Sequence, residues 1–173
     1  MKNISYLAFF TFFIISACNS NSVNDKFTEV EKTTEMPFTD TVKSDTFKVV
    51  LKGTSLKNSV LLFTITSYQG KEIYKASIKS SDIIIPSTTV KTEADQIKFL
   101  QNEVKYFFDE EHFLMPAVIP TEKADQNVPD RNFHDELKQT KLNGFSYRIG
   151  KEAKIYIAWS VKEQKVKIYY KCC

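Results

Sequence analysis

Basic and tyrosyl side chains alternate with apolar ones through the C-terminal part of this chain. That pattern would let one face of a sheet hold an anion. Arg148, Lys154, Lys165, Lys167 and Lys171 fall out of phase with the apolar positions, and Tyr156 and Tyr169 fall among them. Guanidinium and ammonium groups make charge-assisted hydrogen bonds to carboxylates, sulfates and phosphates, and tyrosines would add flat contact area. The competing reading is an ordinary solvated sheet face, where lysines protect against edge-to-edge association. Asp109-Glu110-Glu111-His112 places a histidine among carboxylates, the residue types of acid–base or metal chemistry. His134-Asp135-Glu136, with Ser146 or Ser160, sketches a hydrolytic triad. Neither set has a diagnostic spacing: there is no HExxH, and no nucleophile-elbow motif frames a serine. Glycines close enough to cradle a phosphate are absent as well. Cys172 and Cys173 are adjacent, and a disulfide between neighbours would be strained. They read as free thiols, a strained or intermolecular bridge, or a soft-metal or redox pair. No cofactor and no metal is expected.

The elements that must position these residues are legible from period and punctuation. Phe47–Leu51 alternates, Val60–Thr66 is apolar on both faces, and Gln69-Gly70-Lys71 marks a hairpin turn into Glu72–Ile78. A short apolar run at Ile83–Ile85 stops at Pro86. Ala94, Ile97, Leu100, Val104 and Phe107 or Phe108 recur at helical steps, predicting an amphipathic helix over Glu93–Phe108 capped by Thr92. Pro116, Pro120 and Pro129 mark a long loop. A weaker helix is expected over Asp130–Leu142. Three strands follow, at Phe145–Ile149, Lys154–Val161 and Lys165–Cys172. Their alternation assigns Phe145, Tyr147, Ile149, Ile155, Ile157, Trp159, Val166, Ile168 and Tyr170 to the core. The predicted class is α+β: an antiparallel sheet of about five to six strands, with one main helix and a weaker one inserted between two strand blocks.

The N-terminus carries a resemblance. Lys2 precedes an apolar run, Tyr6–Ile15, which is far short of the ~20 residues needed to cross a bilayer. Small residues then lead to a cysteine, the pattern of a cleaved export signal. Ile15-Ser16-Ala17-Cys18 resembles the lipobox of bacterial lipoproteins at all four positions. The resemblance implies cleavage after Ala17, acylation of Cys18 and anchoring in a membrane through that lipid. The rest resembles, in layout alone, small Bacteroidota lipoproteins of uncharacterised function, and this carries over no active site. The expected organisation is a signal peptide at 1–17, a lipidated cysteine with a disordered polar tether at 18–45, and one α+β domain at 46–173. Asn19 is not the aspartate that marks inner-membrane retention in well-studied lipoproteins. No early acidic cluster follows Cys18, so the outer membrane facing the periplasm is the expected location.

Charge narrows the partners. The whole chain has 24 Lys+Arg against 21 Asp+Glu, and residues 1–17 contain one of those lysines and no acid. The near-neutral remainder gives no argument for nucleic acid. The function expected from sequence is a lipid-anchored envelope binding or interaction module. Its ligand would be an envelope protein or an anionic glycan or lipid held on the basic, aromatic sheet face. The alternatives are an envelope hydrolase using His112 or His134 with nearby carboxylates, and a thiol- or metal-handling lipoprotein acting through Cys172-Cys173. The absence of catalytic spacing leans away from an enzyme.

Overall fold

A computed structural model describes residues 27–84, 90–151 and 153–172. The segment expected to be a signal peptide, Cys18, Ile85, Pro86 and Cys173 lie outside them. The class is α+β, built on two antiparallel four-stranded sheets in place of the expected single sheet of five to six strands. The first is a meander of β1 (Val30–Pro37), β2 (Ser44–Lys52), β3 (Val60–Thr66) and β4 (Glu72–Lys79). The second is a meander of β5 (Phe113–Leu114), β6 (Gly144–Arg148), β7 (Lys154–Ser160) and β8 (Lys165–Cys172). Between the sheets in sequence come α1 (Ser80–Ile83), α2 (Glu93–Lys105) and α3 (Arg131–Thr140).

Two sheets replace one because each block gains a strand. β1 lies in the stretch expected to be a disordered tether up to residue 45, and it pairs along its whole length with β2. Val30 and Met36 pack against the core and Phe38 is buried in it, an apolar contribution spaced too widely to register as periodicity. β5 comes from the segment after Asp109-Glu110-Glu111-His112 and contributes two residues to the edge of β6.

Aromatic side chains join the layers. Phe63 on β3 lies 5.3 Å from Phe145 and 5.2 Å from Tyr147 on β6, ring centre to ring centre. Phe47 on β2 lies 5.4 Å from Phe145, and Phe107, just past α2, lies 5.2 Å from Phe63. Aromatic pairs of this kind add about 0.5–1.5 kcal/mol each beyond the area they bury. The Tyr74 and Tyr147 hydroxyls share a hydrogen bond of 2.5 Å from sheet to sheet. α2 buries Ile97, Leu100 and Val104 and starts on a capping box: Asp95 N donates to Thr92 Oγ1 (3.1 Å), and Thr92 N donates to Asp95 Oδ2 (3.0 Å).

The faces of the second sheet differ from simple alternation because β8 carries a bulge. Ile157 pairs with Ile168 and Tyr156 with Tyr170, leaving Tyr169 as the extra residue. Beyond the bulge the faces exchange. Tyr170 turns away from the main core and packs on Tyr156 (5.2 Å), while Lys171 pairs with Ile155. The outer face is not solvated, as a sheet with one wet side would be. α3 covers it, and a second small core forms from Ala117, Val118, Phe133, Leu137, Ala158 and Tyr169. Gly144 is required there, since a Cβ would stand 2.7 Å from the Tyr169 hydroxyl and 3.0 Å from Ala117 Cβ.

Two buried carboxylates tie the turns. Asp45 accepts from Phe38 N (3.2 Å), Thr39 N (2.6 Å), Thr39 Oγ1 (2.9 Å) and Tyr68 N (2.8 Å), joining the β1–β2 turn to the β3–β4 turn. Glu136 on α3 accepts from Ser160 Oγ (3.1 Å) and Lys162 N (3.2 Å), and Ser160 Oγ in turn accepts from Glu163 N (3.1 Å), fixing the β7–β8 turn. Removing such an acceptor strands several buried donors. Asp45→Ala is therefore expected to lower unfolding free energy by about 3 kcal/mol, read as a reduced midpoint in urea denaturation. A loss within the noise of a surface substitution would contradict this account of Asp45.

Candidate functional site

Of the predicted basic and aromatic set, Lys165, Lys167 and Lys171 line one open cavity along β8, while Arg148 and Tyr169 lie apart from it. Lys167 Nζ donates to Asp130 Oδ2 (2.8 Å), pairs with Glu163 and stands 4.9 Å over the Phe133 ring. Asp130 also caps α3, accepting from Phe133 N (3.1 Å). The hydrogen bond from Lys167 holds the Asp130 carboxyl below its ordinary value, and Asp130 and Glu163 hold the Lys167 ammonium above its own. Lys165 is exposed and paired with Glu163 (2.7 Å). Tyr169 is buried in the second core, and burial raises its phenol well above the ordinary value. Tyr156 is half-buried, with Lys154 Nζ 5.7 Å from its ring centre. Lys171 is exposed on the other face of β8. Arg148 points to the far end of the second sheet, where an Nη donates to the Ile83 carbonyl (2.7 Å). Three of the cations thus have protein partners, and one tyrosine is core.

The sketched triads do not form. His134 is fully buried in α3 with no hydrogen bond to either ring nitrogen, and Glu122 is 3.7 Å from Nε2. The Ser160 hydroxyl donates to Glu136, and that of Ser146 donates to the backbone carbonyl of His112 (3.4 Å). No serine hydroxyl faces an imidazole among the described residues. Cys172 is a free, half-buried thiol opposite Lys154. Among the described residues no group of three His, Cys, Asp or Glu side chains is disposed to hold a metal ion.

Besides two shallower, larger depressions, one by Leu56 and Glu93 and one along β8, two smaller and more enclosed cavities lie at opposite ends of the molecule. The first, about 250 Å³, lies beside the C-terminus of α2 and is lined by Glu103, Tyr106, Asp109, Glu111, His112 and Arg148, among others. His112 Nδ1 is 3.0 Å from the Ser146 carbonyl oxygen, which can only accept, so the proton sits on Nδ1 and Nε2 keeps its lone pair. Burial, then the charge of Lys154, holds His112 below its ordinary value, while burial lifts Glu103.

The second cavity, about 270 Å³, sits where three hairpin turns meet. Its lining includes Thr39 from the β1–β2 turn, Tyr68 and Gln69 from the β3–β4 turn, and Trp159, Val161 and Gln164 around the β7–β8 turn. These are the turns that Asp45 and Glu136 tie down. Gly70 takes the left-handed φ of +81° that lets the middle turn close. Lys43 Nζ stands 4.5 Å over the Tyr68 ring, and Gln69 Nε2 donates to the Tyr68 hydroxyl (3.2 Å). Sequence reasoning missed this site. It read Gln69-Gly70 as a turn and Trp159 as core, and the only available signal was the clustering of polar and aromatic residues at the predicted turns.

No family model, curated protein or solved structure matches this chain.

The shifted groups of the first cavity predict a pH dependence. His112 is held below 6.5, so the unfolded chain binds more protons just under that value, and its contribution to stability is lost as pH falls through 6.5. Glu103 is held above 4.5, so its contribution runs the opposite way, lost as pH rises past 4.5. An NMR titration should place the His112 midpoint below 6.5. His112→Gln should remove the His112 part of the stability slope near pH 6.

Proposed function

We propose that this chain is a lipid-anchored, non-catalytic binding module of the bacterial cell envelope that presents its binding site away from the membrane. The observation that carries the reading is the polarity of the domain. β1 enters at Val30, opposite Leu51, and runs to Pro37 and the cluster of turns. A strand of this length spans roughly 26 Å at about 3.3 Å per residue. An anchor on Cys18 would therefore lead into the end opposite the cavity between the turns. Asn19 to Glu29 would be left as spacer, shorter than the tether expected to reach residue 45.

The site itself supports binding over catalysis. Both buried carboxylates are committed to holding turns, an investment in rigid presentation rather than in acid–base chemistry. The hydrolase reading draws little support from serines bonded elsewhere and from a fully enclosed His134. The thiol reading has Cys172 alone to stand on among the described residues. No helix among those residues is long and apolar enough to cross a membrane. With that lipid, the outer membrane facing the periplasm remains the proposed location, and an envelope protein or glycan the proposed class of partner.

The test is metabolic labelling of the native protein with tritiated palmitate, followed by fractionation. The full chain should incorporate label and sediment with membranes, and Cys18→Ala should do neither. An unlabelled wild-type chain in the soluble fraction would overturn the anchored reading.

A further inference from the structure

We infer that the cavity between the three turns is a carbohydrate site that takes a single sugar ring of a neutral oligosaccharide. The inference deepens the binding-module reading and rests on it. Four observations converge on that ligand class.

The lining is aromatic and uncharged-polar. Trp159 and Tyr68 offer ring surfaces, while Gln69, Gln164, Thr39 and Ser67 offer amides and hydroxyls. A sugar ring presents the matching pair of surfaces: a face of polarised C–H groups, attracted to the negative face of an aromatic quadrupole, and a rim of hydroxyls that both donate and accept. A primary amide also does both. Gln69 Nε2 already donates to the Tyr68 hydroxyl and Gln164 Nε2 to the Val161 carbonyl (2.8 Å), which orients each amide and leaves its oxygen and second N–H for a sugar hydroxyl.

Charge points the same way. No acid lines the cavity, and Lys71 is its one basic lining residue. The nearby acids are spent: Asp45 on four donors, and Asp40 on Val42 N (2.8 Å) and Lys43 N (3.1 Å). A cationic ligand would find no counter-charge, while the two nearby ammonium groups are Lys71 in the lining and Lys43, which is already stacked on the Tyr68 ring.

The indole N–H of Trp159 has no hydrogen-bond partner among the described residues, and Trp159 is only half-buried although its strand neighbours Ala158 and Ser160 are fully buried. Size and rigidity complete the case. At about 270 Å³ the cavity falls just under the usual range for ligand sites, about 300–1,000 Å³, which suits one ring of a longer chain lying across the tip. Exposed Val161 is part of the lining and gives an adjoining sugar apolar contact. Turns held by buried carboxylates lose little freedom on binding, which is how a small site gains affinity.

Trp159 is the chain's single tryptophan and lines the cavity as well as packing against the main core, so its emission responds to an occupant there. The detergent-solubilised full chain would be titrated with maltotetraose, cellotetraose and chitotetraose. At least one should shift or quench the emission with a Kd between about 10 µM and 10 mM. Tyr68→Ala and Gln164→Ala should weaken that binding at least about tenfold while leaving the thermal midpoint near that of the parent. Trp159→Phe, followed by calorimetry, should keep the fold and lose affinity. No response to any of the three sugars, from protein that melts cooperatively, would overturn the carbohydrate assignment. So would binding untouched by Tyr68→Ala and Gln164→Ala, because the sugar would then sit elsewhere. Either failure leaves the palmitate-labelling result intact, so the anchored-module reading and the ligand class stand or fall separately.

Discussion

Asp45 is a fully buried carboxylate that faces four donors and no cation, and the tip of the molecule is organised around it. Its oxygens replace the water that the amides of Phe38, Thr39 and Tyr68 would otherwise hold. Burying a charge this way is costly unless every lone pair is used, and here each oxygen accepts two hydrogen bonds. The result is a fixed distance between two hairpin turns that belong to different strand pairs. Glu136 repeats the device from α3, reaching through Ser160 to the turn of the second sheet. A third constraint, the aromatic layer around Phe63, fixes the two sheets relative to each other and so brings the three turns to one place.

This division explains why the molecule has two unlike ends. At one end, strand termini, α2 and the charged cavity around His112 gather near Arg148. At the other, turns converge on Trp159 with no acid in the lining. α3 belongs to the second end: its cap, Asp130, holds Lys167, and its buried Glu136 holds the β7–β8 turn. A helix with its own apolar contacts to Ala158 and Tyr169 thereby also acts as a brace.

Local patterns were legible in the sequence where they were strong. Thr92 and Asp95 announce the start of α2, and the capping box forms. Phe145, Tyr147, Ile155 and Ile157 alternate and are buried. Long-range consequences were not legible. The bulge at Tyr169 inserts one residue, so Tyr170 and Lys171 exchange faces, and strict alternation cannot foresee that. The lysines looked like a binding face because their partners, Asp130 and Glu163, come from α3's cap and a turn rather than from the same strands. β1 was hidden because Glu31, Lys32, Thr33 and Glu35 are exposed polar residues, and Glu31 pairs across to Lys48 rather than adding to an apolar pattern. The tip cavity was invisible for the same reason in stronger form. It consists of turn residues from three hairpins, and no periodicity links residues 39, 68 and 164.

The claim that matters most is that the tip is held rigid by the two buried carboxylates rather than fluctuating as exposed turns do. Native-state hydrogen exchange tests it directly, at the amides of Thr39, Tyr68, Lys162 and Glu163. The account predicts exchange as slow as in the adjoining strands, with opening free energies approaching that of global unfolding. Exchange at the fast rate of unprotected turn amides would contradict it.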